Sequence, residues 1–181
     1  MKKLLSLYKL KVIMRNKVVM LVAAALISGC ALPKPELWTP MAFDEVEYGA
    51  LKKEGSGVVR GSLFAKTVGG DIKIGAGEIV RLYPVTKYTE QLYREQWIYK
   101  KQATHNEDAR YITYVRQTTT GIDGKFEFTN VPPGEYFAFG GIYWKTVRAT
   151  SYGPVTETQG GLTIKRISVS NGKVTDVALA P

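Results

Sequence analysis

Few side chains in this sequence could do covalent chemistry. The 181 residues include one cysteine, Cys30, and one histidine, His105. A single cysteine cannot close an internal disulfide. A serine hydrolase would need a histidine base, and no Gly-x-Ser-x-Gly elbow accompanies His105. Glu107 and Asp108 lie near His105, but one imidazole in a polar loop reads as a solvated side chain. No His-x-x-Glu pair is present, so zinc peptidase chemistry has no ligand set. Gly69-Gly70 and Gly75-x-Gly77 lack the Gly-Lys-Ser/Thr ending of a phosphate loop and read as hairpin turns. No spacing singles out a pair of carboxylates for glycoside cleavage. The expectation is a protein that is not an enzyme, with no metal and no cofactor.

Non-covalent recognition has better material. Between residues 88 and 114 lie Tyr88, Tyr93, Trp97, Tyr99, Tyr111 and Tyr114, beside Arg94, Lys100, Lys101 and Arg110. Aromatic faces with polar neighbours can stack on sugar rings or anchor a protein interface. The binding residues expected here are Tyr93, Trp97, Lys100 and Lys101. The competing use of the same segment is structural, with Tyr88, Leu92 and Tyr99 packing onto the domain while the charges stay in water.

These residues need elements to hold them. Tyr88, Leu92, Glu95 and Tyr99 have helical spacing, as do Tyr93 and Trp97, which predicts a helix from about Thr89 to Lys101. Thr86 or Thr89 would cap it, with Glu90 in its first turn. The rest of the chain alternates at the period of strands. Strands are expected over 57–64, 78–83, 110–119, 125–129, 135–145, 162–169 and 174–179. Residues 65–77 read as a hairpin or long loop, 148–161 as a loop, and 41–53 as irregular packing against the domain. Ser170-Asn171-Gly172-Lys173 is a two-residue hairpin signal. An insertion as long as 86–119 in a compact β domain points to function.

The chain is organised around Thr120-Gly-Ile-Asp-Gly-Lys-Phe-Glu-Phe-Thr-Asn-Val-Pro-Pro-Gly-Glu-Tyr136. Asp123-Gly124 is a turn dipeptide, and Phe126 and Phe128 share one face of the strand that follows. Pro132 and Pro133 lack N–H donors and end that strand, while Gly134 is free to take a positive φ. The pattern Thr-x-x-Asp-Gly-x-Phe-x-Phe-x-x-Val-Pro-Pro-Gly-x-Tyr resembles the signature of carboxypeptidase regulatory-like domains. Gly57-Val-Val-Arg-Gly61 and Gly77 to Pro84 are similar to that family's first two strands. The resemblance covers residues 55–181. It implies a mainly β, prealbumin-like (transthyretin-like) antiparallel β-sandwich of about seven strands, here with a short helical insertion. Such domains are accessory modules, so the resemblance implies a fold and not an activity.

Residues 1–29 carry Lys2, Lys3, Lys9, Lys11, Arg15 and Lys17 and no acidic residue. An apolar run from Val18 to Ile27 follows, of signal-peptide length and short for a membrane span. Ile27-Ser28-Gly29-Cys30 resembles the bacterial lipobox, in which the cysteine thiol takes a diacylglycerol and becomes the mature N-terminus. The alternatives are an ordinary secretory signal or a short membrane anchor. Met14 begins a complete signal by itself. Ala31 and Leu32 stand where an inner-membrane retention signal would place Asp, which implies an outer-membrane lipoprotein. The expected organisation is thus a signal peptide over 1–29, a lipidated Pro-containing tether and N-terminal segment over 30–54, and the sandwich over 55–181.

This organisation changes the meaning of the charge. The whole chain is +9, but six of its 25 basic residues precede Cys30, leaving 19 against 16 acidic ones and a net of +3. Nucleic acid is therefore not an expected partner. The leading expectation is a lipid-anchored module of the cell envelope that binds or scaffolds another protein. The second is glycan binding, to peptidoglycan or polysaccharide, through residues 88–114.

Overall fold

The structure, a computed structural model, describes residues 34–181. The expected signal peptide, Cys30 and the first residues of the tether lie outside the described residues. The compact unit runs from Glu36 to Pro181. It is mainly β and its sheets are largely antiparallel, with ten strands among the described residues where about seven were expected.

The first sheet is built on β2 (Gly57–Lys66). β7 (Lys125–Val131) pairs antiparallel with its first half, and β3 (Ile72–Ile74) with its last three residues. β10 (Val174–Leu179) runs parallel along the other edge of β2. Ser170 to Lys173 does form a turn, but β10 leaves it to join β2 and does not fold back on the preceding strand. A hairpin dipeptide specifies a reversal of direction, and the apolar face of β10 then decides which sheet receives it.

The second sheet has the order β6 (Arg116–Thr119), β4 (Ile79–Pro84), β8 (Gly134–Thr150) and β9 (Gly153–Val169). β8 and β9 pair without a register break from Gly134↔Val169 to Thr150↔Gly153. The loop expected over 148–161 is therefore strand and tight turn. Gly160, one of its loop-like glycines, sits inside β9 at φ 106°, where a Cβ would lie 2.1 Å from the Ile142 carbonyl oxygen. It is a strand glycine demanded by a close backbone approach.

The two sheets close on one core. Val59, Leu63, Phe126, Phe128, Val177 and Leu179 from the first meet Val80, Leu82, Tyr136, Ala138 and Val169 from the second. The expected inward pair Phe126 and Phe128 lies there, with the rings edge to face at 6.1 Å. Thr120 ties the turn ahead of them to the opposite hairpin: its hydroxyl donates to the Gly75 carbonyl and accepts from the Glu78 N–H at 2.8 Å. Gly124 takes φ 73° and Asp123 Oδ1 accepts the Lys125 N–H. After the prolines, the buried Tyr136 hydroxyl donates to the Pro132 carbonyl at 3.0 Å, a tyrosine-corner device that locks the strand entry.

The helical part of the insertion, 86–119, lies against the outer face of the second sheet, and the insertion's last residues join that sheet as β6. Its first helix, α2 (Lys87–Leu92), follows α1 (Glu45–Gly49), a helix in the segment expected to be irregular. Asp44 caps α1 by accepting the Val46 and Glu47 N–H groups. A π-helical turn, Tyr93–Ile98, continues α2, and a 3-10 helix occupies Ala109–Tyr114, where the alternation had predicted strand. Two short strands, β1 (Leu37–Trp38) and β5 (Gln102–Ala103), pair in parallel and bind the N-terminal segment to the insertion.

Candidate aromatic groove

The helix of the insertion starts at Lys87, two residues before the expected Thr89, and Thr86, one of the two expected caps, is its N-cap. Thr86 and Thr89 form a reciprocal capping box: the Thr86 hydroxyl accepts the Thr89 N–H at 3.2 Å, and the Thr89 hydroxyl accepts the Thr86 N–H at 2.9 Å. The Thr86 hydroxyl also donates to the Tyr48 hydroxyl at 2.9 Å, joining α1 to α2 in a buried contact. Lys100, just past the Tyr99 cap of the π-helical turn, takes φ 53° ahead of β5.

The strand beneath explains why the insertion docks here. In β8, Tyr136 and Ala138 face the core, so Phe137 and Phe139 must face the other way. Tyr83 of β4 lies opposite Phe137 in the ladder and is likewise turned outward. A sheet face with three aromatic rings needs a cover. Tyr93 stacks on Phe137 at 4.6 Å and 26°, and Trp97 meets Phe139 edge to face at 5.6 Å.

The cover does not close completely. Between it and the sheet remains a groove of about 230 Å³. Tyr83, Tyr93, Trp97, Tyr111, Phe137 and Phe139 line it, with Thr89, Leu92 and Ile164 filling between the rings. Gln96 and Glu107 supply its polar groups. The Glu107 carboxylate accepts the Tyr111 hydroxyl at 2.7 Å and the Gln96 side-chain amide. Burial first, then the hydrogen bond to the Glu107 carboxylate, drives the Tyr111 hydroxyl far above the usual phenol range. Burial also raises Tyr83 and Tyr88, and the Tyr88 hydroxyl accepts the Asp108 N–H at 2.7 Å. The phenols of Tyr83, Tyr88 and Tyr111 are therefore neutral.

Of the four binding residues expected from sequence, Tyr93 and Trp97 line this groove, half-buried. Lys100 is exposed at its rim, with its ammonium 5.1 Å from the Trp97 ring centroid. Lys101 does not line the groove. Its ammonium lies 3.3 Å from both Glu36 and Glu95, whose hydrogen bonds raise its pKa, and it sits over Tyr99. Tyr88 is fully buried and Tyr99 is exposed, so the two split the structural role expected of them. Tyr83, Phe137, Phe139, Gln96 and Glu107 were not anticipated as site residues. The run Tyr136-Phe-Ala-Phe139 carried a usable signal, because a strand apolar on both faces must be covered on both.

His105 is exposed, with its ring nitrogen near the Thr104 hydroxyl, and no cluster of metal-ligating side chains occurs among the described residues. A larger depression of about 600 Å³ runs past Lys52, Lys53, Arg116 and Pro132 to Glu135. Its Arg116 guanidinium donates to the Lys53 carbonyl at 2.7 Å. The aromatic groove is smaller, but its apolar walls and few convergent polar groups are what a ligand site needs.

No family model and no curated protein matches the chain. Among solved structures, a crystal structure from Pseudomonas aeruginosa, described as a "putative carbohydrate binding protein", matches with a TM-score of 0.65 and 31% sequence identity. The match covers 78% of this chain and 99% of that one.

Proposed function

The chain belongs to the same family as that Pseudomonas aeruginosa protein, and from this premise we propose that it is a carbohydrate-binding protein whose site is the groove between the insertion and the second sheet. One observation carries the reading: six aromatic rings wall a groove whose polar end is the Glu107 carboxylate, held by Gln96 and Tyr111. A pyranose ring has apolar C–H faces and a rim of hydroxyls. Aromatic walls suit the faces, and an oriented carboxylate suits the rim. The glycan reading, second in the sequence, moves ahead of the protein-partner reading because of this groove and this relative.

The rest of the proposal concerns the setting. The domain is a non-enzymatic, prealbumin-like module of the carboxypeptidase regulatory-like kind, and its two sheets closing on one core support that assignment. It is a lipoprotein, anchored in the outer membrane through Cys30, which the lipobox-like Ile27-Ser28-Gly29-Cys30 supports. There it would hold envelope polysaccharide or peptidoglycan close to the membrane.

The test is a titration of the full-length protein in detergent micelles against neutral mono- and oligosaccharides, read by calorimetry and by tryptophan fluorescence. Trp97→Ala should weaken binding at least tenfold, about 1.4 kcal/mol, with the circular dichroism spectrum unchanged. Tyr93→Ala should act in the same direction. Binding that survives in folded Trp97→Ala protein would move the site elsewhere, and no binding to any glycan would end the proposal.

A further inference from the structure

We infer that the groove takes a single sugar ring without an anionic group, a neutral or amino sugar, and that Glu107 excludes uronic acids and sugar phosphates. The inference rests on the carbohydrate reading of the groove and goes on to the class of sugar.

Size comes first. Drug-sized ligands fill about 300–1,000 Å³, and this groove has about 230 Å³. One ring fits, as a monosaccharide or the terminal unit of a chain.

The polar inventory then sets the sign of the ligand. Glu107 is the only acidic or basic side chain in the lining. One of its oxygens takes the Gln96 amide and the other the Tyr111 hydroxyl. A carboxylate has about four acceptor directions, so each oxygen keeps one for a ligand. Only a donor can fill them, a sugar hydroxyl or an ammonium. Two neighbouring donors are already committed, while the Tyr83 and Tyr93 hydroxyls and the Trp97 indole N–H remain as donors that bring no positive charge. The Tyr111 proton goes to Glu107 and the Thr89 proton to the Pro84 carbonyl at 2.7 Å. A ligand carboxylate or phosphate would face Glu107 with no lining cation to offset it, in surroundings that screen charge less than water does.

Nearby cations do not reverse this. Lys101 is shared by Glu36 and Glu95, and Arg166 by Glu90 and Glu135. Two others lie near: Lys100 stands exposed at the rim over Trp97, where solvent and salt screen it, and Arg81, opposite Phe139 in the ladder, does not line the groove.

The experiment compares sugars that share a ring and differ in charge: glucose, glucosamine and glucuronate, and galactose, galactosamine and galacturonate. Binding to the full-length protein in micelles is measured by calorimetry and ligand-detected NMR, below neutral pH so that the amines are charged. In at least one series the neutral and amino members should bind, with the uronate at least tenfold weaker. Glu107→Gln should bring the uronate to within about threefold of the neutral sugar, and a thermal melt on each sample confirms folding. A uronate that binds wild type as tightly as its neutral partner overturns the inference and leaves the groove as the carbohydrate site. Discrimination unchanged in folded Glu107→Gln protein overturns the role of Glu107. If no member of either series binds, and Trp97→Ala changes nothing, the carbohydrate reading fails and this inference fails with it.

Discussion

Thr86 joins α1 to α2, and its removal tests whether the groove is built as described. Its hydroxyl caps α2 by accepting the Thr89 N–H and donates to the Tyr48 hydroxyl of α1. Thr86 is 3% exposed and Tyr48 1%, so water cannot replace either bond. Burial also lifts the Tyr48 pKa to about 12, which keeps it a neutral phenol at any physiological pH. In Thr86→Ala, loss of the cap costs about 1 kcal/mol. Leaving the Tyr48 hydroxyl without its donor adds about 1–3 kcal/mol, so the expected loss is about 2–4 kcal/mol. In a Tyr48→Phe background only the cap remains to be lost, because the Thr86 proton can turn to the Thr89 hydroxyl 3.2 Å away. There the same change should cost about 1 kcal/mol. Urea unfolding of the four proteins measures the difference as a coupling energy of at least about 1 kcal/mol, with the m-value unchanged. Thr86→Ser should restore most of the loss. Additivity within about 0.5 kcal/mol would refute the Thr86–Tyr48 link, and with it the claim that α1 braces the groove's helical wall.

Other outcomes follow from single contacts. The Arg110 side chain, and then its backbone N–H, hold the Asp108 carboxyl at about 2 against an ordinary 3.8. A depressed folded-state pKa contributes stability that is complete above the unfolded value and lost as pH falls through the folded one. Asp108→Asn should therefore flatten the acid limb of the melting temperature between about pH 4 and pH 2, which a thermal melt series across that range measures. A Cβ on Gly61 would lie 2.2 Å from the Val177 carbonyl oxygen and 2.4 Å from the Phe126 ring, so Gly61→Ala should destabilise by about 1–3 kcal/mol or more, read as a fall in urea midpoint. Cys30→Ala should abolish metabolic palmitate labelling and release the protein from the membrane fraction; labelling that persists would remove the lipid-anchor proposal.

Local chemistry was legible in the sequence. The Asp123-Gly124 turn, the alternation of Phe126 and Phe128 and the proline corner before Tyr136 each depend on a handful of adjacent residues and lie where the pattern put them, and the helix cap falls on Thr86, one of the two residues expected for it. Features that depended on distant partners were not legible. Gly153-Pro154 and Gly160-Gly161 carry loop composition, yet continuous pairing with β8 holds them in a strand. Residues 110–114 alternate like a strand but form 3-10 helix, where Tyr111 can reach Glu107 and pack at a tilt beside Tyr83 and Tyr88.

The groove divides the same way. Sequence by itself determined that an aromatic, helix-forming insertion interrupts a β domain, because helical spacing and capping are written in neighbouring residues. Only the tertiary structure decided that Tyr93 and Trp97 would meet Phe137 and Phe139, that Lys101 would turn away to Glu36 and Glu95, and that Glu107 would close the polar end. Those meetings depend on which face of a strand is left outward once the core has taken the other, and that choice belongs to the whole sheet.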